Sequence, residues 1–241
     1  MAYSRFTSNA RKRNVCSVNE HFFEKWSSDM AYILGFFAAD GCLTKNSKRR
    51  NYYLEFVSTD LDILQKIKRV MMADQGVTKK IRSTNLSLVK QGYRIQIGSK
   101  KLFIDLISLG MVSNKSKTLK LTKIPDPYFS DFVRGFFDGD GYSNYCVYYA
   151  RDRAKMRTTL LSGFACGSRN FLEGLKGNLN RLACLEGGSI SSHNNNFALA
   201  YSVRDTRKLF NYMYNDLSRN IFLERKYFKF RSDIDKYGSV A

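Results

Sequence analysis

The chain writes nearly the same nine residues twice, LGFFAADGC from Leu34 to Cys42 and RGFFDGDGY from Arg134 to Tyr142. Gly-Phe-Phe-x-x-Asp-Gly is common to both, and Asp40 and Asp140 lie 100 residues apart. Solenoid repeats recur every few tens of residues, so a near-copy at this distance implies duplication of a whole subdomain. The stretch SSDMAYILGFFAADG reads as a helix with Ser28 or Asp29 as cap and Gly41 as its stop. It is apolar nearly all round, which requires burial on several sides. Gly35 with Ala39, and Gly135 with Gly139, put small residues at i and i+4 on one helix face, where two backbones could approach closely.

The repeat extends beyond the motif. Each helix precedes a hairpin-like stretch, CLTKNSKRRNYYLEFVS in the first half and the longer YSNYCVYYARDRAKMRTTLLSGFACGS in the second. Helical segments follow in which Ile63, Leu64 and Ile67 match Phe171, Leu172 and Leu175. Each leads into a second hairpin, and the halves close on SKKLF and TRKLF. The shared order is helix, two strands, helix, two strands, helix, and residues 115–127 join the halves.

Forty Lys and Arg against 21 Asp and Glu give a formal charge of +19, a self-repulsion that makes a polyanion the expected partner. Nucleic acid leads. No lysine-rich amphipathic helix or lipidation signal supports a membrane surface, and the longest apolar run, Met30 to Ala39, is too short to span a bilayer. The five cysteines never fall at C-x-x-C spacing, which indicates neither a zinc ribbon nor a disulfide framework and fits a reduced intracellular setting, in bacterial or phage cytoplasm or an organelle. The opening MAYSRFTSNARKRNV resembles a transit segment or a basic arm lying on phosphates, and the arm is the preferred reading.

The paired motifs and the order of elements resemble the LAGLIDADG homing endonucleases in their single-chain, two-motif form. The resemblance implies an α+β fold of two pseudo-symmetric αββαββα halves, with the motif helices at the interface. Two four-stranded antiparallel sheets would form a saddle over the DNA major groove. It divides the chain into a basic N-terminal extension (1–28), a first half (29–122) and a second half (123–241). The implied activity is hydrolysis of both strands of a long, asymmetric double-stranded DNA site by a monomer. An RNA-binding intron-splicing maturase, with intron RNA as partner, and a catalytically inactive DNA-binding regulator are the alternatives on the same scaffold.

The chemistry rests on the motif acids. Ala38 corresponds to Asp138, whereas Asp40 corresponds to Asp140, so one acid is common to both copies. Two carboxylates at the negative ends of crossing helices repel one another unless a cation lies between them. Magnesium suits all-oxygen ligands completed by water and phosphate, as phosphodiester hydrolysis requires, and manganese or calcium would fit the same sites. Free carbonyls at the helix ends, those of Ala39 and Gly139, are further candidate ligands. DGDGYSN is not an EF-hand, because Ser143 and Tyr149 stand where Gly and Glu are needed. His21 and His193 alone are too few for a His-Asn-His nuclease, no phosphate-binding Gly-Lys-Ser/Thr loop occurs, and no intein block is recognisable.

The resemblance also implies a basic residue after the last helix of each half, beside the scissile phosphates. Lys115 and Lys226 hold that place, with Lys117 and Arg225 as the neighbours a one-residue slip would select. Base readout falls to the sheet faces opposite the helices. With Leu43, Ile81, Ile95 and Val203 inward, the outward set is Thr44, Asn46, Lys48, Lys80, Arg82, Arg94, Gln96, Asn144, Tyr148, Ser202 and Arg204.

Overall fold

The computed structural model describes residues 17–46, 48, 51–82, 90–113, 117–216 and 221–237. The first half runs α1 (Ser28–Asp40), β1 (Gly41–Asn46), β2 (Asn51–Ser58), α2 (Leu61–Val70), β3 (Thr78–Arg82), β4 (Lys90–Gly98) and α3 (Lys100–Ser108). The second repeats the order as α4 (Asp126–Asp140), β5 (Gly141–Ala150), β6 (Lys155–Cys166), α5 (Arg169–Ala183), β7 (Ser189–His193), β8 (Asn196–Tyr201) and α6 (Val203–Tyr214), and adds α7 (Glu224–Tyr237). Each half holds one four-stranded antiparallel sheet, ordered β1-β2-β4-β3 and β5-β6-β8-β7. This is the duplicated α+β architecture that the repeat implied.

The helix α1 is capped by Ser27, whose hydroxyl accepts from the Met30 amide at 3.1 Å, so Ser28 and Asp29 are helical rather than caps. Both motif helices stop at a glycine for lack of space: a Cβ on Gly41 would strike the Phe37 ring, and one on Gly141 the Phe137 ring. Those phenylalanines meet equivalent partners in edge-to-face packing, Phe37 with Phe56 at 5.2 Å and Phe137 with Phe164 at 5.6 Å. Helices α2 and α5 bury Ile63, Leu64 and Ile67, and Phe171, Leu172 and Leu175, against their sheets.

The helices α1 and α4 pack against each other along their length at the centre of the molecule. A Cβ on Gly35 would collide with the carbonyl oxygen of Phe132, and one on Gly135 with that of Tyr32, each the pseudo-symmetric image of the other. Near the helix ends, a Cβ on Gly139 would collide with that of Ala39. The small residues therefore set how closely the helices cross.

The sequence preceding α1 also joins the first half. The amide of Asn19 donates to the Met71 carbonyl at 3.0 Å, the Ser99 hydroxyl donates to Glu20 at 2.8 Å, and Phe23 is buried in the core.

Candidate active site and nucleic-acid interface

Asp40 and Asp140 end the two crossing helices, and both are half-buried. The Asp40 carboxylate reaches across the crossing, with Oδ2 3.4 Å from the position a Cβ on Gly139 would occupy. The missing side chain at Gly139 therefore opens room for the acid of the opposite half. Among the described residues no group of three or more His, Cys, Asp or Glu side chains is placed to hold a metal. A cation at the crossing would have these two carboxylates and must complete its shell with carbonyls, water and phosphate.

The end of the second motif helix is held by several buried contacts. Asp138 is buried, and its Oδ2 accepts from the Tyr32 hydroxyl at 2.6 Å and from the Leu223 amide at 2.8 Å. Burial raises the Asp138 carboxyl above its ordinary pKa, a shift that the Tyr32 hydrogen bond opposes. Higher on α4, buried Arg134 donates to the carbonyls of Ile221 (3.2 Å) and Met213 (2.9 Å) and to Asp131 (2.7 Å). The connection from α6 to α7 is thus pinned to α4 at both its ends.

Lys226 is buried as well. Its ammonium donates to the carbonyls of Phe137 (2.6 Å), Asp138 (2.9 Å), Gly139 (3.3 Å) and Gly141 (2.7 Å), which closes the last turn of α4. Burial pushes its pKa down to about 8 although Asp138, Asp40 and Asp140 pull it upward. In the DNA-free chain the ammonium meets helix-end carbonyls, including that of Gly139, the residue before Asp140. Arg225 turns the other way and holds Asp60 through two hydrogen bonds of 2.9 and 2.8 Å, so α7 also ties to the first half. Lys66 of α2 strengthens this tie by donating to Glu224 at 3.0 Å and to the Phe222 carbonyl at 3.2 Å. Lys115 lies outside the described residues, and Lys117 is exposed.

On the first sheet, Leu43, Leu54, Phe56, Ile95 and Ile97 face the core. Strand register then puts Thr44, Asn46, Lys80, Arg94 and Gln96 on the opposite face. Arg82 has the same parity on β3, although its side chain lies outside the description, as does that of Ile81. Lys48 is exposed in the β1–β2 turn. Sequence reasoning missed Glu55, which pairs with Lys80 at 2.6 Å and Arg94 at 3.5 Å in the middle of this face. The alternation of buried Leu54 and Phe56 around it was the available signal.

On the second sheet Ser143, Leu160 and Ser162 are buried, which leaves Asn144 and Tyr148 outward and exposed. Ser202 and Arg204 are corrected. The strand β8 ends at Tyr201, Ser202 is the N-cap of α6, and Arg204 lies in that helix paired with Glu186 at 3.2 Å. Val203 accordingly opens a helix instead of facing inward from a strand.

Residues 27–109, which contain the first motif helix and the whole first sheet, match the model of the LAGLIDADG-like domain. That segment is a LAGLIDADG-like domain. An uncharacterised protein of Methanocaldococcus jannaschii is 27% identical over 116 residues, which is 48% of this chain and 40% of that protein. The chain thus matches less than half the length of that relative. Among solved structures, I-SmaMI bound to an uncleaved DNA target in the presence of calcium ions gives a TM-score of 0.56 at 13% identity, covering 88% of this chain and 90% of that one. The homing endonuclease I-WcaI bound to its DNA recognition sequence gives 0.52 at 15% identity, covering 85% and 92%. The two-half LAGLIDADG fold therefore extends over nearly the whole chain. No helix among the described residues is long and apolar enough to cross a membrane.

Proposed function

We propose that this LAGLIDADG protein is a metal-dependent endonuclease acting as a monomer, which hydrolyses both strands of a long, asymmetric double-stranded DNA site. The observation that carries the reading is the approach of Asp40 to Gly139 at the crossing of two helices that each end in an acid. The DNA-bound relatives of the same fold support the substrate class, and the net charge of +19 supports a polyanionic partner.

The donor set at the crossing is all oxygen, which fits a hard divalent ion such as magnesium, with manganese or calcium as substitutes. Asp40 and Asp140 would hold it, with the carbonyls of Ala39 and Gly139 as further ligands; the Gly139 carbonyl, which also accepts from Lys226, keeps a second lone pair. Bound there, the ion would lower the pKa of water and neutralise charge on the phosphate. The chain's own residues supply position. Gly35, Gly135 and Gly139 set the helix spacing, and Ala39 fills the remaining gap. Lys226 and Asp138 fix the last turn of α4 from which Asp140 projects. Lys80, Arg82, Arg94 and Gln96, with Thr44, Asn46, Lys48, Asn144 and Tyr148, face the duplex, where Arg and Gln suit paired contacts with guanine and adenine and Lys suits phosphate.

A target recovered from a randomised duplex library provides the test. Asp40→Asn and Asp140→Asn should each abolish double-strand cleavage in magnesium while leaving binding in calcium within a few-fold of the parent. Cleavage at the parent rate by either variant removes these acids from the site.

A further inference from the structure

The two hairpins that leave the motif acids differ in length in a way the duplication does not require. Strands β1 and β2 pair over six positions, from Gly41–Phe56 to Asn46–Asn51, whereas β5 and β6 pair over ten, from Gly141–Phe164 to Ala150–Lys155. Four residues separate the paired strands in each hairpin, 47–50 and 151–154, so the difference in pairing lies in the strands. The third strand of the second sheet, β8, reaches only Ser162–Cys166, which leaves Lys155–Leu161 paired with β5 alone. The end of β5–β6 is a two-stranded ribbon that outruns the rest of its sheet.

Its composition suits a groove in nucleic acid. Val147, Tyr149 and Met156 are exposed at 60%, 56% and 61% on one face of the ribbon and Tyr148 at 44% on the other, so both faces carry exposed apolar groups. The tip and its flank, Arg151 to Arg157, carry Arg151, Arg153, Lys155 and Arg157 against Asp152. By strand parity Cys146, Tyr148, Arg157 and Thr159 share the face of Asn144, which points away from the helices. A two-stranded ribbon is a shape the B-form major groove admits, where Arg reads guanine and apolar groups meet the thymine methyl. β5 starts at the residue after Asp140, so the ribbon leads away from the acid pair, by about 3.4 Å per residue. A duplex advances by about the same distance per base pair.

We infer that the second half reads a longer stretch of duplex than the first, by up to about four base pairs, through the β5–β6 ribbon. The inference rests on the nuclease reading above and assigns it an asymmetry of arms. The probe is a duplex library randomised over a long window, selected for binding in calcium and sequenced. The expected site has one arm longer by up to about four base pairs. Removing Val147–Ala150 together with Lys155–Thr158, which keeps the loop and the Cys146–Thr159 pairing, should shorten that arm alone. Arms of equal length, or a long arm unchanged by the deletion, overturn the inference and leave the nuclease reading standing. Failure of the intact chain to enrich any sequence overturns both. Should the deletion variant not fold, Tyr148→Ala with Arg157→Ala takes its place. Selectivity at the outermost positions should then fall by tenfold or so with the inner positions unchanged, and retained outer selectivity overturns the inference.

Discussion

Lys226 and Glu55 are charged residues whose surroundings decide what they do. Lys226 closes the carbonyls of α4, so Lys226→Met should leave several buried acceptors unpaired and lower stability by about 1–3 kcal/mol. Urea midpoints measure this, with cleavage compared well inside the folded range. Unchanged stability with lost cleavage would place the role of the ammonium at the phosphate. The sequence placed a lysine at the right position after the last helix but held no sign of its burial, because the carbonyls it meets belong to residues more than 80 positions away. Arg134 is the converse. A guanidinium inside an apolar helix demands partners, and that demand was legible in the sequence, although the carbonyls of Met213 and Ile221 were not. The Asp40 and Asp140 pair was legible because duplication itself marks the acid kept in both copies.

The crossing of α1 with α4 is the element on which the shared site depends. Gly135→Leu must displace the Tyr32 carbonyl, and overpacking of this kind costs roughly 1–3 kcal/mol or more. Activity should fall further than stability, since the acids ride on the separated helix ends and a catalytic constellation tolerates shifts of about half an ångström. Thermal melts together with cleavage rates measured well below the midpoint separate the two losses; a folded variant cutting at the parent rate would detach the site from this contact. Helix and strand order was readable because each element occurs twice. The error at Ser202 and Arg204 arose where a short apolar–polar alternation, AYSVR, imitates a continuing strand. The repeat held the answer: Ser99 caps α3 in the first half, and Ser202 occupies the same place before α6.

At the scale of the molecule the excess of 19 positive charges governs association. If phosphates are the partner, log affinity should fall linearly with log salt, with a slope near −0.9 for each phosphate neutralised. Binding titrations across a salt series measure it, and a flat plot would remove DNA as the main partner. The crossing helices carry a further consequence, about which halves can mate. Two first halves docked in the same way would set Ala39 against Ala39, where the spacing accepts a side chain on one side only. Two second halves would fit there, but each would bury Asp138 opposite Phe132, which has no hydroxyl to offer in place of that of Tyr32. Only the mixed couple escapes both faults. The chain has diverged from its own symmetry at Ala39 and Tyr32, and in doing so it has made each half a poor match for its own kind.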